Sequence, residues 1–300
     1  MEKGGNSLSH HIKFLTDTTC DLPKETLQAL DVTALPMHVF LNGEEHLDGV
    51  DITRQELYDH AAKTKQLPKT AAITALEFVS AYKQALDQGY DEVIYLGISS
   101  KISSTFQNAL LARDEAAAQG LDKDRIHPVD SLQLSTGTAQ LLYEGRALAD
   151  QGCSAQEVVR HLEEVRGRLC TSFVLDTLEY LHMGGRCSSI VYVAGSMLRI
   201  HPQISMVDGQ MIVGDKFRGN LQHCMEQYQK KMVLNVLDTI EPERIFVTHS
   251  ATDSTMALAA KQQLEALHYF KNIYVTSAGA TISSHCGPNT MGYLYIKKKA

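Results

Sequence analysis

Apolar positions in the first half of the chain fall in short runs, separated by stretches of helical period, and predict alternating strands and helices. A strand over His11–Asp17 ends in the polar cluster Thr16 to Asp21, and Pro23 suits the first turn of a helix over residues 24–30. Val32 to Phe40 reads as one strand, followed by the Asn42-Gly43 turn signal. Thr53 with Glu56 and Thr74 with Glu77 form capping boxes that open two helices, the second stopped by Gly89. Residues 91–98 are the clearest buried strand; a hydroxyl-rich loop and a helix from Thr105 follow. A strand over Arg125–Val129, a helix over Thr136–Asp150 and a helix capped by Ser154 with Glu157 complete this half.

The second half has a different rhythm. Ser172–Asp176 is strand-like, and Leu178–Arg186 is a helix broken at Gly184-Gly185. Residues 202–217 predict a hairpin turning at Asp208-Gly209, and one long helix is expected from Asn220 to Leu237. Further strands fall at 244–250, 272–278 and 290–298. Strands alternating with helices argue for an α/β domain with a mainly parallel sheet over residues 12–170. The hairpin argues for a second α/β domain with a mixed sheet over 171–299.

Composition narrows the function classes. With 44% hydrophobic and 21% charged residues over 300 positions, the chain has the make-up of a globular protein. A net charge of −7 gives no global attraction to phosphate backbones, so nucleic acid is a poor default partner. No run of about eighteen apolar residues predicts a membrane span. The opening residues contain no apolar h-region, so a cytoplasmic protein is expected. The six cysteines include no C-x-x-C pair, which favours reduced thiols over structural zinc or any other metal site.

Four segments carry candidate chemistry. The loop from Gly97 to Thr105, with Ser99, Ser100, Ser103 and Ser104, leaves the carboxyl end of a strand and enters a helix. Open α/β sheets bind ligands there, and the helix N-terminus favours an anion; the same serines also serve as helix caps. In the loop Lys69–Thr74, Thr74 is a cap, which leaves Thr70 either solvated or free to bind. In the polar loop Ile282–Pro288, His285 is a base, an anion donor or a structural histidine. Arg186, after two glycines, is solvated or recognises a carboxylate or phosphate. The chain has no P-loop, no G-x-G-x-x-G after the first strand, no G-x-S-x-G elbow and no H-E-x-x-H.

Taken in order, these segments resemble the DegV family of bacterial lipid-binding proteins. The resemblance runs from Ile12 to Lys299 and rests on Thr16–Pro23 (TDTTCDLP), Pro68–Thr74 (PKTAAIT), Gly97–Gln107 (GISSKISSTFQ), Leu178–Ser188 (LEYLHMGGRCS) and Ser283–Gly292 (SSHCGPNTMG). It implies a two-domain α/β protein that holds one long-chain fatty acid between its lobes, without cofactor or membrane insertion. It further implies that the protein is not itself an enzyme but presents the carboxylate to a separate ATP-binding fatty acid kinase, which forms an acyl phosphate. By position, Thr70, Ser99, Ser100 and His285 match the carboxylate site and Arg186 matches a residue near the partner. Two departures stand out: Ala71-Ala72-Ile73 replaces the usual S-Q-P, and Ser104 replaces a glycine. The competing reading is an autonomous serine-dependent lipid hydrolase using Ser100 and His285, which the missing elbow disfavours.

Overall fold

The computed structural model describes residues 11–186 and 200–299; Cys187 and Ser188 of the fourth segment lie outside them. The chain runs through β1 (Ile12–Asp17), α1 (Lys24–Ala29), β2 (Val32–Leu35), β3 (His38–Leu41), β4 (Glu44–Leu47), α2 (Arg54–Thr64) and β5 (Lys69–Ala71). It continues with α3 (Ala75–Asp87), β6 (Glu92–Gly97), α4 (Thr105–Ala118), β7 (Ile126–Asp130), α5 (Thr136–Asp150) and α6 (Ala155–Arg166). Then come β8 (Leu169–Val174), α7 (Glu179–Gly184), β9 (Ile200–Val207), β10 (Gln210–Arg218) and α8 (Leu221–Met232). Last are β11 (Ile240–His249), α9 (Thr255–Glu265), β12 (Asn272–Ser277), α10 (Ala280–Cys286) and β13 (Met291–Lys297).

Alternation along β1 sets the layering of the first half. Phe14 packs with Ile94, Leu141 and Leu162 against α5 and α6, whereas Leu15 packs with Val93, Phe78 and Tyr82 against α3 and α4. Between them lies a four-stranded parallel sheet, β2-β1-β6-β7. All three capping boxes read from the sequence are present, at Thr53, Thr74 and Ser154. Each cap of this kind stabilises its helix by about 1 kcal/mol.

The second half is a six-stranded mixed sheet, β10-β9-β8-β13-β11-β12. One face buries Tyr228, Tyr293, Tyr295 and Ile245 under α8 and α9. On the other face Phe246 and Leu294 pack on Ala139 of α5. The halves are therefore joined through α5, and polar bonds reinforce the joint. Gln140 Nε2 donates to the Leu294 carbonyl at 3.0 Å, and the Thr136 and Thr248 hydroxyls lie 2.6 Å apart.

Four local expectations give way to the structure. The single strand over Val32–Phe40 breaks at Pro36-Met37, because proline removes a ladder donor, and its second part joins a small antiparallel sheet, β4-β3-β5. Lys69–Ala71 is accordingly a strand, with Thr70 opposite Val39. The long helix stops at Met232, where Val233 leaves helical geometry before a 3₁₀ segment. Ile282–Cys286 belongs to a helix, in which Ser284 Oγ donates to the Ala280 carbonyl at 2.8 Å. Among the described residues no helix is long and apolar enough to cross a membrane.

Candidate functional site

A cavity of about 600 Å³ lies between the parallel sheet's loops and the inner face of the mixed sheet, within the size range of ligand cavities. Its walls are mainly apolar: Ile98, Leu134, Phe173, Leu181, Met211 and Leu294 line it. Polar residues line it too: Ser135, Thr248, His249, Ser250, Thr281 and Thr290, and a polar pole of Thr70, Ser100, Ser103, Ser104 and His285 with the cations Lys101 and Arg186.

The topology explains how distant residues meet at this pole. Thr70, on edge strand β5, lies 2.8 Å from His285 Nε2 on α10, and the two are hydrogen-bonded. Ser100 sits in the β6–α4 loop, where its N–H donates to Asp130 Oδ1 at 3.1 Å; its hydroxyl makes no bond to the described residues. Ser99 is different. Fully buried, it donates to the Gly209 carbonyl at 2.8 Å and clasps the β9–β10 hairpin instead of lining the cavity. Arg186 is exposed at the rim, with Nη1 2.5 Å from the Gly184 carbonyl. Neither departure segment is idle. Ile73 is fully buried, and its carbonyl takes a 2.7 Å bond from Asn108 of α4; Ser104 is the N-cap of α4, makes no capping bond, and lines the rim.

Three buried carboxyl groups, given no role by sequence reasoning, position this pole. Asp17 accepts from Tyr95 Oη at 2.8 Å and from the Ile98 N–H at 3.0 Å, fixing where the Ser99-Ser100 loop begins. The approach demands Gly97: a Cβ there would lie 1.8 Å from Tyr95 Oη and 2.4 Å from Asp17 Oδ2. Asp21 accepts from the Gly279 N–H at 2.7 Å, while Asp48 accepts from Ala280 and Thr281 at 2.8 and 3.0 Å. These two hold the first turn of α10, the helix that carries His285. Polar residues crowded directly after β1 were the available signal for Asp17 and Asp21; Asp48 carries none.

The electrostatics favour a neutral cradle. Burial first, then the charge of Arg186, lowers the His285 pKa from 6.5 to about 4, so the ring is uncharged at neutral pH. Its Nδ1 has no hydrogen-bond partner among the described residues and faces Gly184, where a Cβ would stand 2.4 Å away. A Ser–His hydrolase needs a base bonded to the nucleophile and oriented from behind. Here Nε2 meets Thr70 rather than Ser100, and nothing orients Nδ1, so that machinery is not assembled. A carboxylate facing these hydroxyls and the first turn of α4 would find charge-assisted donors. Among the described residues no cluster of metal-ligating side chains occurs.

A family model described as "Uncharacterised protein, DegV family" matches residues 11–298. The chain belongs to the DegV family. A DegV domain-containing protein of Clostridium perfringens is 30% identical to this DegV chain, covering 96% of it and 99% of the relative. Among solved structures, a fatty-acid-binding DegV family protein from Thermus thermophilus superposes with a TM-score of 0.86 at 28% identity, over 96% of this chain and 100% of that one. A stearic acid-binding protein from Eubacterium ventriosum gives 0.84 at 26% identity, over 96% and 98%. Parallel first sheet and mixed second sheet thus match the DegV fold.

The carboxyl of Asp21 makes the anchoring of α10 in this DegV protein sensitive to pH. Burial, aided by the charges of Asp48 and Asp17, outweighs its hydrogen bonds from Gly279 and Ser135 and raises its pKa from 3.8 to about 8. The folded state then holds the proton more tightly than the unfolded chain. Its stabilising contribution is complete below pH 3.8 and is lost as pH rises towards 8. Asp21→Asn keeps an acceptor for Gly279 and a polar contact to Ser135 without the titration. From about pH 4 to 8 the wild type should lose on the order of 2–5 kcal/mol relative to this variant in urea unfolding. Parallel pH–stability curves for the two proteins would refute the assignment.

Proposed function

We propose that this DegV protein encloses one long-chain fatty acid and presents its carboxylate at the polar pole, for a separate ATP-dependent kinase to convert to an acyl phosphate. The observation that carries the reading is a mainly apolar cavity whose lining includes the Thr70 and Ser100 hydroxyls, in a chain whose relatives bind fatty acids. Enclosing about fourteen methylenes at roughly 0.8 kcal/mol each gives ~11 kcal/mol gross, so the tail dominates affinity and the head group sets orientation. The carboxylate contacts are Thr70, Ser100 and, through its bond to Thr70, His285; Ser99 contributes by fixing the loop. The sequence has no nucleotide-binding loop, which supports a presenting role rather than an autonomous one. Free thiols at Cys20, Cys153, Cys170, Cys224 and Cys286 fit a cytoplasmic setting.

Native mass spectrometry of the purified protein should show a fatty acid mass. Combined Thr70→Ala and Ser100→Ala should weaken binding of the acid by ~2–4 kcal/mol, through loss of two donors to a charged group. Binding of a fatty alcohol of equal length should fall much less. Absence of any fatty acid, bound as purified or after addition, would end this reading; equal losses for acid and alcohol would remove these residues from the head group.

Arg186 reaches outward from the rim and supports a contact with the partner or with the transferred phosphoryl group. Arg186→Ala should keep its lipid but lose most acyl phosphate formation with a cognate kinase, and Arg186→Lys should recover only part of it. Full activity of the alanine variant would exclude the contact.

A further inference from the structure

Two buried hydrogen-bonding groups in the cavity wall have no role in holding a carboxylate or a plain hydrocarbon tail. Thr281 is 3% exposed and lines the cavity, yet its Oγ1 has no hydrogen-bond partner among the described residues. His249, 4% exposed at the end of β11, lines it too. Its ring lies close to the Ala251 backbone and its Nε2 stands 3.4 Å from Ser277 Oγ, while its Nδ1 meets no partner in hydrogen-bonding geometry among the described residues. Buried polar atoms are overwhelmingly paired in folded proteins, so two without partners among the described residues, both in side chains that line one cavity, ask for a ligand atom.

Thr281 precedes His285 by one helical turn on α10, so the two share a face of that helix. His249 adjoins the residues just before that helix, its carbonyl accepting from the Ala278 N–H at 2.8 Å. Neighbouring hydroxyls on the same wall are already committed. Ser250 Oγ donates to the Gly287 carbonyl, and Thr290 Oγ1 donates to that of Cys286. His249 and Thr290 also border a second cavity of about 360 Å³, between α8 and α9, so this stretch of wall is polar on both sides. A threonine hydroxyl and a neutral imidazole each donate or accept, the combination that suits an alcohol rather than a charged group.

We propose that the cavity selects a long-chain fatty acid carrying a hydroxyl group on its chain, bonded to Thr281 Oγ1 and His249 Nδ1. The proposal rests on the fatty-acid reading above and adds the substrate class. An unsubstituted tail leaves both groups buried without partners, whereas a hydroxylated tail satisfies them and its own oxygen together.

The test uses delipidated protein and compares stearic acid with a positional series of monohydroxystearic acids. At least one isomer should bind roughly tenfold more tightly than stearic acid. That ratio should fall to about one in Thr281→Val and persist in Thr281→Ser, which keeps the hydroxyl. Stearic acid binding as tightly as every hydroxy isomer would overturn the proposal and leave the fatty-acid reading intact. Failure of every acid to bind would overturn both.

Discussion

Helix α10 is buried yet depends on remote carboxyl groups for its start. It is seven residues long, rich in serine and threonine, and too short to persist alone. Three of its leading N–H groups are instead taken by Asp21 and Asp48, two buried carboxyl groups from segments far away in the chain. Much of the polar pole follows from that attachment. It sets the height of His285 against Thr70, turns Thr281 toward the cavity, and brings the end of the mixed sheet alongside the loops of the parallel one.

The frame of the molecule was legible because its signals are local. Capping boxes at Thr53, Thr74 and Ser154, the Asp208-Gly209 turn and the alternation around Phe14 and Leu15 each depend on residues a few positions apart. What escaped depends on distance. Thr70 belongs to a strand because Val39 offers it a ladder, and the strand after Val32 breaks where Pro36 withdraws a donor. The 282–286 segment reads as a polar loop until the remote carboxyl groups that cap it are known.

The same distinction applies to the site. Thr70, Ser100, His285 and Arg186 gather at one cavity, as the ordered segments implied. Ser99 is chemically identical to its neighbour but points the other way, because successive residues leaving a strand face opposite sides. Nothing in the sequence alone distinguishes the hydroxyl that lines the cavity from the one that clasps Gly209. The carboxyl groups behind them were visible as polar letters after β1, without a stated duty, since their partners lie from 78 to 258 residues away.

Helix α5 has a consequence for how the chain comes into being. Gln140 is fully buried, and its amide bonds to a carbonyl 154 residues later. On a ribosome the first half emerges complete in its own sheet but with Ala139 and Gln140 facing water, their cover not yet synthesised. Its last surface closes only when β11 and β13 arrive, so the nascent first half carries an unfinished seam for most of the remaining translation. A chain interrupted near residue 170 would retain that seam permanently, and its two pieces would have to find each other to be complete.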